Sequence, residues 1–186
     1  ENIDKLFATL RAHFNFANPQ ITFEGEPVTL TPRKAALLQR NGVNRISLGI
    51  QSFKEEIVFQ TGRRDTEKQT MDAIALAKGT GAQVNIDLIS GLGGETMETW
   101  AYSVQRAIEA ELHNITIYKL ELYANTPYNS AERHNEIELP SDEQELELIQ
   151  YAAAELKKHG YFPINTFTCA KERAHERKKK NKKKRR

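Results

Sequence analysis

Asp87 stands alone in the apolar run VNIDLI (84–89), which opens at once into three glycines within four positions, Gly91, Gly93 and Gly94. A strand that delivers one acid, followed by a loop whose backbone must come close to something, is one reading of that stretch. A solvated acid before an ordinary turn is the other. Three further polar residues invite the same question: Glu24 in EGEP, Gln51 in SLGIQSF and Arg63 in TGRRD. Carboxylates accept from an ammonium or from vicinal hydroxyls, and an arginine holds a carboxylate in a two-point fork. Two acids, an amide and an arginine on one rim would suit a polar ligand carrying both charges, such as an amino-acid group beside a ribose. Each such bond contributes about 1.5–3 kcal/mol where water is excluded.

The elements that must position these residues alternate along the chain. ITFEGEP (21–27), NRISLGIQSF (44–53), VNIDLI (84–89) and NITIYKLELY (114–123) read as strands, and YFPINTFT (161–168) as a fifth, weaker one. Helices fall between them. Ile3, Leu6, Leu10 and Phe14 recur at helical spacing, and Thr31 with Pro32 supplies a cap and a first-turn proline. Trp100, Val104, Ala107 and Ile108 mark one later helix; Ser141 with Gln144 opens another, whose expected apolar face is Ile149, Ala152, Ala153 and Leu156. Strand starts near 21, 45, 84 and 114 leave intervals of 24, 39 and 30 residues, close to the roughly 30 of a βα unit. The expected class is therefore α/β with a parallel sheet. A closed eight-strand barrel needs about 250 residues, so the chain is read as a partial (β/α) TIM-like barrel over 1–168, with the missing part expected upstream. In such a barrel the carboxyl ends of the strands share one mouth. Glu24, Gln51, Asp87 and the Tyr118–Glu121 stretch stand there, with Arg63 just beyond the second strand.

Other chemistries find little support. The single cysteine, Cys169, excludes a disulfide framework or an iron site built from cysteines of this chain alone. The five histidines lack metal-ligand spacing, and no GxxxxGK or GxSxG pattern occurs. No apolar run is long enough to cross a bilayer, so a soluble, cytoplasmic protein without membrane partners is expected. Charge is unevenly placed. Residues 171–186 hold 11 Lys+Arg and 2 Glu, leaving 16 basic and 23 acidic residues of the totals of 27 and 25 for positions 1–170. The body thus carries −7 and the end +9. Residues 169–186 are read as a basic tail outside the folded domain. It has three readings: a solvated disordered end, a nucleic-acid or localisation arm, or the product of a reading-frame slip. No aromatic residue interleaves with the basic ones, so base stacking has no support and nucleic acid is not the expected partner. Bland readings apply to the rim as well: Asp87 as a structural acid, Glu24 with Glu26 as a solvated pair, and Arg63 with Arg64 as surface charges.

Taken in order, EGEP, NRISLGIQSF, TGRRD and NIDLISGLGGET resemble the radical S-adenosylmethionine (SAM) enzymes of the oxygen-independent coproporphyrinogen III oxidase group. That group's E-x-x-P, N-R-[IL]-S-x-G-[VI]-Q-[SD]-F, G-R and [NS]-x-D-[LI]-[IM]-x-G-L-P-x-[QE]-T segments are matched over positions 21–96. YKLELYANTPY resembles its Y-x-L-x-[IL]-x-x-x-T-P segment and GYFPINTFT its later G-Y-x-x-[YF]-x-[IV] stretch, so the resemblance covers nearly all of 1–168.

The resemblance implies that Glu24, Gln51, Arg63 and Asp87 contact SAM and that Leu120 offers a backbone contact. It implies a 4Fe-4S cluster held by three cysteines, which donates an electron to SAM and so generates the radical that takes a hydrogen atom from the substrate. The substrate would be a small molecule such as a porphyrinogen or haem, and the electron donor a flavodoxin or ferredoxin. Reactions within the group include oxidative decarboxylation in porphyrin biosynthesis, haem delivery as a chaperone, haem-ring opening and methyl transfer. Three departures are visible, one of them being that beyond Thr168 the resemblance stops abruptly and the basic tail begins. The C-x-x-x-C-x-x-C motif and G-G-G-T-P strand, expected upstream of Glu1, are absent, so the chain by itself is expected to be inactive. Position 93 is Gly where the group commonly has Pro. A non-catalytic module that uses the basic tail to recruit nucleic acid is the alternative of another class.

Overall fold

A computed structural model describes residues 2–171. Strands β1 (Thr22–Gly25), β2 (Arg45–Gln51), β3 (Gln83–Ser90) and β4 (Asn114–Lys119) run parallel in chain order. Each connection between them carries helix: α2 (Pro32–Arg40), then α3 (Glu55–Gln60) with α4 (Glu67–Gly79), then α5 (Met97–Glu109). Helix α1 (Asn2–His13) precedes β1; α6 (Pro127–Arg133) and α7 (Asp142–Lys158) follow β4. This is the parallel α/β arrangement expected of part of a (β/α) barrel. Among the described residues no helix is long and apolar enough to cross a membrane.

The helices start where the caps require. Thr31 accepts from the Lys34 N–H with Pro32 in the first turn, and Thr66, Thr96 and Ser141 each close a capping box. Side chains alternate across a strand, so Ile46, Leu48 and Ile50 of β2 and Val84, Ile86 and Leu88 of β3 lie under the helices, all at 1% exposure or less. Trp100 of α5 is fully buried in the same core, and its indole N–H donates to the Leu148 carbonyl of α7 at 2.7 Å.

The opposite, concave face is polar. Ser47 Oγ donates to Asp87 Oδ2 at 2.9 Å, and Asn85 Nδ2 donates to both Ser47 Oγ and Asp87 Oδ1. Thr116 Oγ1 continues the chain by donating to Asn85 Oδ1, and lies 3.1 Å from Thr168 Oγ1. A buried polar layer of this kind is tolerable because every member finds a partner.

Three expectations need correction. The fifth strand is two strands: β5 (Tyr161–Pro163) and β6 (Thr168–Lys171) form an antiparallel pair, and β6 joins the sheet antiparallel to β4. Asn165 turns the chain between them, its Oδ1 accepting from the N–H groups of Phe167 and Thr168. Consequently the sheet passes through Cys169 and Ala170 to Lys171, and the expected boundary after 168 falls inside a strand. The rest of the basic run, 172–186, lies outside the described residues. The buried stripe of α7 is Glu145, Leu148, Ala152 and Leu156 rather than the face through Ile149 and Ala153, because Leu148 is the residue that meets Trp100. On α1 the residues packed against the core are Ile3 and Phe7, whereas Leu6, and Phe14 just beyond the helix, are more than half exposed.

Candidate active site

The polar face of the sheet and the carboxyl ends of β1 to β4 border two adjoining hollows. A polar basin of about 390 Å³ is lined by Glu24, Arg45, Ser47, Gln51, Asp87 and Tyr118, together with Gly49, Thr116 and Thr168. A smaller, largely apolar-walled hollow of about 240 Å³ includes Gln51, Arg63, Ile89, Leu92, Leu120 and Tyr128 in its lining. Gln51 belongs to both, and the five residues singled out in the sequence are divided between them.

Gln51 is placed by an irregularity in β2. Gly49 pairs with Asp87 but Gln51 pairs with Leu88, so one extra residue is accommodated on β2, and Gln51 itself has φ +72°. A left-handed non-glycine residue at a bulge is a strained conformation that re-aims a side chain. The missing side chain at position 49 makes room: a Cβ there would stand 3.1 Å from Gln51 Nε2 and 3.8 Å from Arg63 Nη2. Arg63 is fixed across the same gap, donating to the Gly49 carbonyl at 2.9 Å and pairing with Glu26 at 3.0 Å. Its proximity to buried Asp65 is looser, at 3.9 Å.

Glu24 is exposed on the edge strand and faces the basin. Asp87 is half-buried, and each of its oxygens already accepts one hydrogen bond from the polar layer, which fixes its carboxylate while leaving lone pairs toward the basin. Leu120 lies just past the end of β4, where its N–H donates to the Ser90 carbonyl at 2.9 Å. Its own carbonyl is therefore the group it offers. Burial pushes the Tyr118 phenol above its ordinary value, and the Asp87 and Glu24 carboxylates add to this while Arg45 opposes it.

The glycine loop contributes Leu92 to the smaller hollow, and an acid beneath the loop holds it. Gly91 is left-handed at φ +90°, and its N–H donates to Glu95 Oε2 at 2.7 Å. A Cβ on Gly91 would meet Glu145 Oε1 at 2.7 Å. Gly93 donates its N–H to the Tyr128 hydroxyl at 2.6 Å, fixing a ring that lines the smaller hollow. That bond needs the N–H that proline lacks, which gives the glycine at 93 a local reason. Glu95 is 7% exposed, and its Oε1 has no hydrogen-bond partner. Burial pushes its carboxyl up to about 7, helped by the nearby Glu145 and opposed by the backbone N–H groups of Gly91 and Leu92. Glu145 in turn receives Lys119 Nζ at 2.7 Å.

Sequence reasoning missed Arg45 and Tyr128. Arg45 was discoverable, since it stands two, four and six positions before Ser47, Gly49 and Gln51 and shares their face. Tyr128 has no such signal. Among the described residues no group of His, Cys, Asp and Glu could hold a metal ion, and the half-buried Cys169 lies on β6, its thiol raised by burial.

Comparison with known proteins agrees with this fold. Residues 1–107 match the family model described as the Radical SAM superfamily. The heme chaperone HemW of Lactococcus lactis is 33% identical over 143 residues, covering 76% of this chain and 38% of that protein. The oxygen-independent coproporphyrinogen III oxidase of Escherichia coli is 29% identical over 163 residues, covering 86% and 35%. The solved structure of the Escherichia coli coproporphyrinogen III oxidase HemN superimposes with a TM-score of 0.80 at 30% identity, covering 91% of this chain and 39% of that one. The chain thus spans about two fifths of the length of the curated relatives it matches.

Proposed function

Because the chain belongs to the radical SAM superfamily, we propose that its two joined hollows are a SAM-binding site of a protein acting on a porphyrin or haem compound. The observation that carries this is the convergence on Gln51: Glu24 and Asp87 line the basin on one side of it, and Arg63 and Leu120 the apolar-walled hollow on the other. The smaller hollow, between Leu92 and Leu120, suits a flat adenine, with the Leu120 carbonyl as acceptor for its amino group. Glu24 and Asp87 accept from hydroxyls or an ammonium, and Arg63 turns from Glu26 toward the ligand carboxylate. When bound, SAM supplies the carbon–sulfur bond on which the superfamily's radical chemistry depends. The described residues do not fit the 4Fe-4S cluster that the superfamily implies, since no metal-holding group occurs among them. The part assigned to this chain is binding and orienting SAM.

Equilibrium dialysis of the 186-residue chain with SAM tests this reading. Wild-type chain should bind SAM, and the Gln51→Ala and Arg63→Ala variants should bind it at least tenfold more weakly. Binding of SAM no tighter than that of adenosine would overturn the assignment. Two activities remain within the reading, coproporphyrinogen oxidation and haem delivery. Haem that stays with the chain through gel filtration would support delivery.

A further inference from the structure

The concave face holds one cation that the SAM assignment does not use. Arg45 lines the basin from the amino end of β2, is only partly exposed, and makes no side-chain hydrogen bond or ion pair within 4.0 Å among the described residues. A guanidinium drawn partly out of water without a counter-charge carries a desolvation cost that a bound anion would offset. The neighbouring acids do not serve. Both Asp87 oxygens accept from Ser47 and Asn85, and Glu24, which pairs with Ser47 rather than Arg45 in the sheet register, forms no ion pair with it. Tyr118 of β4 lines the basin, and Phe167 from the turn before β6 stands against it. Their centroids are 5.6 Å apart and their planes 33° from one another, and they are 44% and 50% exposed. Arg45 and Tyr118 both line the basin, and Phe167 packs beside Tyr118 at its edge.

We propose that Arg45 seats a carboxylate borne by a flat ring system, and that the Tyr118–Phe167 pair gives the surface on which that ring lies. This rests on the reading of the chain as part of a protein acting on a porphyrin or haem compound and adds to it which residues meet the substrate. An exposed aromatic pair offers stacking area to a planar conjugated ligand. An arginine with unused donors fixes the ligand's register through a forked bond to one carboxylate. Glu24 and Asp87, which pair with Ser47 and Gly49 farther along β2, disfavour a second carboxylate there, so the site selects one orientation.

The test titrates the full chain with coproporphyrin III, which bears four carboxylates by its chemistry, and with its tetramethyl ester, following porphyrin absorbance. Wild-type chain should bind the free acid. Arg45→Gln should weaken that binding about tenfold or more, with Arg45→Lys between the two. Affinity for the ester should be the same in all three, and Phe167→Ala should weaken acid and ester alike. Equal affinity of wild type and Arg45→Gln for the free acid, or no binding by the wild type, would overturn the proposal. Unfolding curves for each variant in urea show whether a loss reflects folding, and Arg45→Lys keeps the charge if Arg45→Gln does not fold. SAM binding by the wild-type chain, measured separately, judges the underlying reading. A chain that takes up SAM but discriminates nothing through Arg45 defeats this inference alone.

Discussion

Replacing Glu95 by glutamine should make the protein more stable above neutral pH while leaving it nearly unchanged in acid. Glu95 lies under the loop after β3 with Oε2 on the Gly91 N–H and Oε1 buried without a partner. The groups around it are mostly adverse. Glu145 approaches from α7, the Tyr128 ring from α6 is near, and the one cation in the cluster, Lys119, is engaged by Glu145 rather than by Glu95. The carboxyl is accordingly raised from an ordinary 4.5 to about 7, chiefly by burial. For an acid whose pKa is higher in the folded state, the folded chain holds the proton more tightly. Stability is then full below 4.5 and is lost as pH rises through about 7. At about 1.4 kcal/mol per pH unit, the full loss is about 3 kcal/mol.

Glutamine mimics the protonated acid, since its carbonyl can still accept from Gly91 and its amide places no charge in the site. Urea unfolding at intervals between pH 4.5 and 8.5 measures the difference. The variant's advantage over wild type should be near zero at the acid end, grow through neutrality, and level off at about 3 kcal/mol. Other ionisable groups shift both curves together and cancel in that difference. Removing the repulsion with Glu145→Gln should move the midpoint of the wild-type loss to lower pH. An advantage that is the same at every pH, or a variant that is less stable throughout, would refute the assignment of a buried, neutral Glu95.

Three further outcomes follow from the geometry. Asp87→Ala strands the Ser47 hydroxyl and Asn85 amide in a buried layer, so it should cost about 1–3 kcal/mol in urea unfolding as well as abolish SAM binding by dialysis. Gly49→Val sets a branched side chain where a single Cβ already stands 3.1 Å from the Gln51 amide; SAM affinity should fall at least tenfold with little change in unfolding midpoint. Gly93→Pro removes the N–H that holds Tyr128 and crowds Gln60 Oε1, 2.7 Å from a Cβ at that position, and should destabilise the chain by about 1–2 kcal/mol in the same unfolding assay.

What the sequence reveals and what it hides differ by the range of the forces involved. Period-two alternation within β2 separates Ile46, Leu48 and Ile50 from Ser47, Gly49 and Gln51 without any knowledge of the partner strands, and strand ends in a parallel sheet bring Glu24, Gln51 and Asp87 to one mouth. The same local logic fails at 161–168, where the run is broken by one side chain: Asn165 accepts two backbone N–H groups and turns the strand back on itself. Glu95 was out of reach altogether. In the sequence it is an acid in a glycine-rich loop, a setting that suggests solvent. Its burial depends on α7, whose register is set by Trp100 meeting Leu148 and which carries Glu145 to within 2.7 Å of where a Gly91 Cβ would be. The glycine at 91 is thus required both by its left-handed backbone and by a carboxylate fifty-four positions later in the chain. No window on the sequence around Gly91 contains that second reason, so a loop that reads as a ligand cradle proves also to be the roof over a buried acid pair.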